Sequence, residues 1–271
     1  MRGAFRIWRS ASWYRCVVFL FVSAIIGTNR AAAQENPRLV HVLVALADNE
    51  HQGIVPVPKA LGNGDDPDRN LYWGAAFGVR TYLKKSSEWI EISAGRPSSK
   101  ILARSVFRHQ TSGTYLVADA YQGSAIKAAI EDFFRLAAGQ QLETLQTELG
   151  HGKYWQLPAK TSLVVYVGHD GLMDFQLENT FPGPGSEQRE AIVLACASKI
   201  YFSAGLRPTG ARPLLWTTGL MAPEAYTLKA ALDGWIAGES GELIRQRAAD
   251  AYAKYQKIST AAAKRLFVSG W

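Results

Sequence analysis

The sequence predicts an α/β fold, in which helices cover both faces of a mostly parallel sheet in a three-layer α/β/α sandwich. Apolar runs, in which His41 is the one polar side chain besides the terminal Cys196, occupy residues 39–46, 163–168 and 191–196, and such runs are typical of strands that are buried on both faces. Helical patterns alternate with these strands, which favours parallel connections. Because no internal repeat or long linker divides the chain, residues 34–271 are predicted to form a single domain.

The segment after the first strand is rich in Pro, Gly, Asn and Asp and is predicted to be a loop over residues 49–70. Asn70 is predicted to cap a helix of about four turns that ends at Lys85, although Gly74 and Gly78 interrupt it.

The middle of the chain contains weaker strand signals. Residues 89–92 and 101–107 are predicted to be short strands of a hairpin or insertion, and residues 114–119 are predicted to be a further strand. A helix ending at Gly139 is predicted next. Its apolar face consists of Ile126, Ile130, Phe133 and Ala137.

The last third continues the alternation of strands and helices. A fifth strand is predicted over residues 213–217. Pro223 and Glu224 suit the first turn of a helix that ends at Gly238, and Ser240 is predicted to cap a final helix.

The first 33 residues are predicted to be a secretory signal peptide. Four arginines precede a short apolar core at residues 17–26, and Ala31–Ala33 supply a small-residue cleavage site. The protein is therefore expected to be exported, to the periplasm or the extracellular space, without stable membrane insertion after the leader is removed. An uncleaved anchor is the alternative.

The charge of the chain comes largely from this leader. Residues 1–33 hold five arginines and no lysine or acidic residue, so their removal lowers the formal net charge from +7 to +2. A nearly balanced chain gives no electrostatic reason to bind nucleic acid or an anionic membrane. The sequence therefore predicts no nucleic-acid partner.

The predicted mature chain has one cysteine, Cys196. In an exported protein a single cysteine indicates either an intermolecular disulfide or a reactive thiol. The alternative is a buried cysteine that packs as a small hydrophobic residue. Its position favours the reactive thiol, because Cys196 ends one predicted strand and His169 follows another. Parallel strands bring their carboxyl ends to one crevice, where a thiol and an imidazole can form an activated nucleophile pair.

The two strand ends also resemble a known family. The chain reads Val-Gly-His169 after one apolar block and Leu-Ala-Cys196-Ala-Ser198 after the next. This order resembles the clan CD cysteine peptidases, the superfamily of caspases, legumains, gingipains and clostripain, over about residues 161–200. The resemblance implies a caspase–hemoglobinase-like fold, with Cys196 as nucleophile and His169 as general acid and base. It also implies an oxyanion hole formed by the backbone N–H groups of Cys196 and Gly171.

One residue departs from the family pattern, which places glycine directly after the histidine. Here Asp170 stands between His169 and Gly171. It could shift the oxyanion donor, orient the imidazole or mark the loss of peptidase activity. The predicted function is an exported cysteine peptidase acting on a peptide or protein substrate. The alternatives are an inactive caspase-like binding protein of the cell envelope and a thiol amidase acting on a non-peptide amide.

Five further side chains are predicted to border the crevice. Asp48 and Glu50 follow the first strand, where the resembling peptidases often bind the residue before the scissile bond, so they could select a basic side chain. Turn and cap hydrogen bonds are the alternative. Asp119 ends its predicted strand and could steady the histidine, bind substrate or cap a helix. Trp216 and Thr217 close the fifth strand and could line a groove, although a buried Trp216 is the more common outcome.

No metal or cofactor is predicted. The acidic loop at residues 62–68 could bind calcium, but its spacing does not match an EF-hand, and a solvated loop is favoured. Zinc is not expected, because no two histidines lie at a helical spacing and no His-Glu-x-x-His is present. The five histidines are His41, His51, His109, His151 and His169.

Overall fold

The structure, a computed structural model, describes residues 37–142, 146–148, 154–158, 160–185 and 189–271. Within these residues, eight strands form one mixed sheet and two short strands form a separate antiparallel pair. The strands are β1 (Leu39–Ala45), β2 (Trp89–Gly95), β3 (Ile101–His109), β4 (Tyr115–Tyr121), β5 (Gln146–Glu148), β6 (Tyr154–Gln156), β7 (Leu163–Val167), β8 (Glu190–Leu194), β9 (Arg212–Thr217) and β10 (Phe267–Val268).

The strand order in the large sheet is β10-β9-β8-β7-β1-β4-β3-β2. Strands β4, β1, β7, β8 and β9 run parallel to one another, whereas β10 and the β2–β3 hairpin pair antiparallel at the two edges. The chain passes from β1 to β4 on one side and then crosses to β7 on the other. Such a reversal opens a crevice at the carboxyl ends of the strands, between β1 and β7, where ligands bind in open α/β sheets.

Six α-helices accompany the sheet in the described part of the chain. They are α1 (Val79–Lys84), α2 (Ile126–Ala137), α3 (Ser198–Thr209), α4 (Ala225–Ile236), α5 (Gly241–Gln256) and α6 (Thr260–Leu266). Alternate residues of β1 enter two cores: Val42 packs with residues of α1, α4, α5 and α6, whereas Leu43 packs with residues of α2 and α3. The predicted α/β class with a mostly parallel sheet is confirmed, and the helices on both faces are compatible with a three-layer sandwich.

The helix predicted to run from residue 70 to residue 85 is wrong over its first half, because α1 begins only at Val79. Gly74 explains part of the difference, since a Cβ there would overlap the carbonyl oxygen of Asp68. Asn70 does not cap a helix. Its buried side chain bonds both the N–H and the carbonyl of Ala47, and so ties this segment to the end of β1.

Helix α3 was not predicted, and neither were α6 and β10. The α3 sequence contains Gly205 and Pro208, two residues that usually weaken a helical pattern. Gly205 fits because a Cβ there would lie 2.5 Å from the ring of Phe134 on α2. Pro208 falls in the last turn, where α3 is about to end at Gly210. Close packing between α2 and α3 therefore stabilises a helix that its own sequence signals poorly.

The predicted signal peptide lies outside the described residues. Asn36–Trp271 make up one compact unit. In the portion that the structure describes, no helix combines the length and apolar character needed to cross a bilayer.

Candidate functional site

Cys196 and His169 line one cavity of about 350 Å³ at the carboxyl ends of the central strands. His169 follows β7 and Cys196 follows β8, and these two strands are parallel neighbours. Gly53, from the loop after β1, contributes to the same cavity. The structure therefore brings the two predicted catalytic side chains into the crevice that the strand order creates.

The Cys196 thiol is half-buried and free of any disulfide. Its Sγ lies 3.5 Å from the carbonyl oxygen of Met221, to which it donates, and accepts from the Met221 N–H at 3.4 Å. Burial raises the pKa of the thiol; the Met221 backbone bond lowers it in part, and the nearby Asp170 carboxylate raises it further. The thiol is therefore protonated in the free protein near neutral pH.

The turn that presents Cys196 is strained. Ala197, the next residue, adopts the left-handed conformation with φ of 46° and directly precedes α3, which costs a non-glycine residue about 1–2 kcal/mol. Buried hydrogen bonds hold the turn in place: the Ser198 Oγ donates to the Val193 carbonyl at 3.0 Å and accepts from the Thr217 N–H at 3.0 Å. Strain that the surrounding structure holds in this way is frequent at functional sites.

His169 is buried and oriented by a carboxylate that sequence reasoning missed. Its Nε2 lies 2.6 Å from the Asp174 Oδ2, which also accepts from the Gly53 N–H at 3.3 Å. With the proton on Nε2 facing Asp174, the neutral imidazole leaves Nδ1 able to accept a proton. The only signal in the sequence was an aspartate five residues after the histidine.

Gly168 lets the chain turn from β7 into the cavity. Its φ of +149° favours glycine, and a Cβ there would lie 2.9 Å from the Ala45 carbonyl oxygen on the neighbouring strand. Its N–H continues the sheet by donating to Leu194 at 3.2 Å. His169 is therefore placed by a tight backbone contact between β1 and β7.

Asp170, the residue that departs from the family pattern, is fully buried. Its Oδ1 accepts from the Leu172 N–H at 3.1 Å and caps a 3₁₀ turn over Gly171–Met173, whereas its Oδ2 has no partner among the described residues. Burial raises the pKa of this carboxyl to about 7; the Leu172 N–H lowers it in part, and the charge of Asp174 raises it further. Asp170 therefore changes charge near neutral pH.

The predicted oxyanion hole is only partly supported by the backbone. The Gly171 N–H donates to the His169 carbonyl at 3.1 Å, so it is occupied in this conformation. The Cys196 N–H has no acceptor among the residues that the structure describes. The structure corrects the prediction for Gly171, because the turn capped by Asp170 directs that N–H back to the chain.

Asp48 and Glu50 do not reach the cavity of Cys196. Asp48 is buried and accepts hydrogen bonds from the N–H groups of Glu50 and His51 and from the His51 ring. Glu50 is exposed, and both side chains border a separate polar cavity of about 460 Å³ beside Lys59. The predicted role in selecting a basic side chain is corrected: Asp48 closes a turn, as its alternative reading proposed.

Asp119 lies within the sheet and not at its edge. Strand β4 continues two residues further than predicted, to Tyr121, so the Asp119 side chain is fully buried. Arg104 donates two hydrogen bonds to its carboxylate, at 2.6 and 2.8 Å, and His41 lies 2.8 Å away. Burial raises the pKa of Asp119, but the bonds from Arg104 and His41 outweigh it, so the pKa lies below its usual value. The prediction that Asp119 contacts His169 or substrate is corrected.

The groove-lining role predicted for Trp216 and Thr217 is corrected, since neither side chain is exposed, and the alternative of a buried Trp216 is confirmed. The Trp216 Nε1 donates to the Gly270 carbonyl at 3.0 Å, and its ring packs in the core under α2 and α3. The Thr217 Oγ1 accepts from the Ser198 N–H at 3.2 Å and donates to the Ala195 carbonyl. Thr217 therefore supports the turn behind Cys196 and does not line the cavity.

No three His, Cys, Asp or Glu side chains in the described part of the chain come together as a metal-binding group. In the acidic loop, Asp66 pairs with Arg69 and the Asp65 carboxylate accepts from Gln122. His151 lies outside the described residues. The absence of a metal or cofactor stays a prediction.

Comparison with family models, with curated proteins and with solved structures found no match for this chain. The residues of the site and their geometry therefore carry the assignment of function.

Proposed function

We propose that this protein is an exported thiol hydrolase that cleaves peptide bonds, with Cys196 as nucleophile and His169 as general acid and base. One observation carries the proposal: a free cysteine and a histidine that is oriented by a carboxylate share a single cavity at the carboxyl ends of adjacent parallel strands. A nucleophile, a base and an orienting group are the components that nucleophilic catalysis requires.

The proposed reaction begins when a bound amide displaces the thiol from Met221. The Cys196 proton moves to the His169 Nδ1, and the Sγ attacks the carbonyl carbon of the substrate. The Cys196 N–H then donates to the developing oxyanion. The imidazolium returns its proton to the leaving amine as the C–N bond breaks, which leaves a thioester. Water hydrolyses that thioester, with His169 accepting a proton from water and returning it to the thiol.

The assignment of the α/β sheet to a caspase–hemoglobinase-like fold is part of this proposal. The resemblance of the two strand ends to clan CD peptidases supports a caspase–hemoglobinase-like fold, and the confirmed α/β class is compatible with it. Export to the periplasm or extracellular space is proposed from the arginine-rich leader pattern alone.

A catalytically inactive binding protein is the second candidate, and two observations favour it. The Cys196 thiol bonds the Met221 backbone, and the Gly171 N–H bonds the His169 carbonyl. In that case the same cavity would hold a peptide without cleaving it.

Covalent trapping separates these two candidates. The protein is treated at pH 7 with a peptidyl vinyl sulfone, which a thiol adjacent to a bound peptide can attack, and with iodoacetamide at the same concentration. We expect the peptidyl reagent to modify Cys196 at least about tenfold faster, because peptide binding places its electrophile beside the thiol. His169→Ala should remove this advantage. Equal slow labelling by both reagents, unchanged in His169→Ala, would support the inactive binding protein.

Replacing Asp174 by asparagine should lower kcat by roughly 10- to 100-fold, because the neutral asparagine side chain stabilises the imidazolium of His169 less than the carboxylate does. KM for a peptide substrate should remain within about twofold, because Asp174 acts through His169. Steady-state kinetics provides the measurement.

Glu178→Gln is the matched control for Asp174→Asn, since Glu178 is an exposed carboxylate four residues further along the same segment. It should leave kcat unchanged. A rise in KM with unchanged kcat in Asp174→Asn would contradict the positioning role of Asp174.

A further inference from the structure

The cavity beside Cys196 is enclosed mostly by apolar side chains from two segments that are distant in sequence. One wall comes from the loop after β1 and from the turn that begins at Asn70, and it includes Ile54, Val57 and Leu71. The opposite wall follows β9 and includes Met221, Ala222 and Pro223. The second wall is continuous with the nucleophile, because the Met221 backbone bonds the Cys196 thiol.

Each carboxylate near the cavity is either buried or held by hydrogen bonds within the protein. The Asp174 Oδ2 binds His169 and the Gly53 N–H, and Asp170 is fully buried. Glu224 is the acidic side chain on the lining. Its Oε2 accepts from the Tyr226 hydroxyl at 2.8 Å and from the Gln256 amide at 3.2 Å, which hold the carboxylate against the wall. These hydrogen bonds reduce the attraction of the two carboxylates for a cationic substrate group, and the described lining residues include no lysine or arginine that would attract an anionic one.

Large apolar side chains also border the mouth of the cavity. Val55 is 84 % exposed and Leu220 is 75 % exposed, although both are among the lining residues. Exposed apolar groups around a concave site are typical of a surface that binds an apolar ligand. The lining of the cavity and the side chains at its mouth are therefore both mostly apolar.

We propose that this cavity selects substrates with an apolar side chain next to the scissile amide. The inference rests on the proposed function and specifies its substrate class. A cavity of about 350 Å³ is near the lower limit for ligand sites, so it suits one side chain and its adjacent backbone. Burial of a leucine-sized side chain corresponds to a gain in affinity of roughly tenfold to hundredfold. A charged side chain would lose hydration there, and the carboxylate on the lining, Glu224, already accepts hydrogen bonds from Tyr226 and Gln256.

Peptide binding to the Cys196→Ala protein tests this selectivity without requiring turnover. Acetylated and amidated peptides of sequence Ala-Ala-X-Ala-Ala, with X as leucine, lysine or aspartate, are titrated by calorimetry. We expect the leucine peptide to bind at least about tenfold more tightly than the other two. Equal affinities, or no measurable binding of any of the three peptides, would overturn the inference.

Preference for the lysine peptide would also overturn it, and Glu224→Gln would then identify the cause. If Glu224 selects a cation through its remaining oxygen, Glu224→Gln should abolish that preference. Under the present inference, Glu224→Gln keeps the preference for leucine.

Substitutions at the mouth provide an independent test. Because Val55 and Leu220 are exposed, the double variant Val55→Ser with Leu220→Ser should fold normally. We expect it to weaken binding of the leucine peptide about tenfold. Ile200→Ser is the matched control, since Ile200 is 70 % exposed but is not among the lining residues of the cavity. The affinity of this variant for the leucine peptide should be unchanged. An unchanged affinity in the double variant would count against the inference.

Failure of the proposed function and failure of this inference give different results. Selective binding of the leucine peptide without hydrolysis by the unsubstituted protein supports the apolar site but contradicts the peptidase. Hydrolysis of all three peptides at equal rates, with equal affinities, supports the peptidase but contradicts the apolar site.

Discussion

Replacing Cys196 by alanine is expected to lower kcat/KM for a peptide substrate by about 10,000-fold or more, to the level of residual catalysis by the backbone donors and binding alone. The Sγ is the atom that forms the thioester, and within the described residues it is the free thiol of the cavity. Hydrolysis of a fluorogenic peptide provides the measurement. Binding of an uncleaved peptide to Cys196→Ala, together with an unchanged far-UV circular dichroism spectrum, is the control for folding.

The pH dependence of the same site provides a second measurement of the mechanism. Because burial raises the pKa of the Cys196 thiol above its usual value, alkylation by iodoacetamide should still increase above pH 8 in the free protein.

His169→Ala should lower kcat by roughly 100- to 10,000-fold, which is the usual contribution of a general acid and base. Full peptidase activity in either Cys196→Ala or His169→Ala would exclude the proposed dyad.

Replacing Asp170 by asparagine should make the free energy of unfolding less dependent on pH. The pKa of Asp170 is about 7 in the folded protein and 3.8 in the reference state. Because the folded-state pKa is raised, the folded state holds its proton more tightly than the unfolded state. The corresponding stability is fully present below about pH 4 and is lost as the pH rises through 7.

Each unit of difference between the folded-state pKa and the reference pKa corresponds to about 1.4 kcal/mol. The difference between about 7 and 3.8 therefore corresponds to about 4 kcal/mol of stability. About 3 kcal/mol of this loss should fall between pH 5 and pH 8. Urea unfolding of both proteins across that range provides the measurement, and Asp170→Asn should be the more stable protein at pH 8.

Asp68→Asn is the control for this experiment, since the Asp68 side chain is 83 % exposed. Its stability should follow that of the unsubstituted protein at every pH within about 0.5 kcal/mol. Parallel stability curves for the unsubstituted protein and Asp170→Asn would show that the buried carboxyl does not retain its proton.

The elements that could be predicted from the sequence are those whose pattern reports burial directly. Strands β1, β7 and β8 are apolar except for His41 in β1 and Glu190 at the start of β8, because helices cover both faces of the sheet. The approximate ends of these strands also located Cys196 and His169. The carboxyl ends of parallel strands lie at the same edge of the sheet, where ligands bind, so these two residues could be assigned to one crevice.

Predictions failed where a shift of one or two residues changes the environment of a side chain. Asp119 seemed to end its strand, but β4 continues to Tyr121 and leaves Asp119 inside the sheet with Arg104. The groove-lining role of Trp216 failed because side chains alternate between the two faces of a strand, and its ring enters the core beneath α2 and α3, as its alternative predicted. The sequence shows that a residue is near an edge, but it does not show which way the side chain points.

The class of the fold and the placement of Cys196 and His169 at one crevice were determined by the sequence itself, because apolar periodicity and residue chemistry are local properties of the chain. Tertiary structure alone decided that Asp174 orients the imidazole, that Met221 holds the thiol and that Asp170 is buried. These outcomes depend on which segments pack against one another. Orientation and desolvation, which set the reactivity of the site, therefore appear only when the chain has folded.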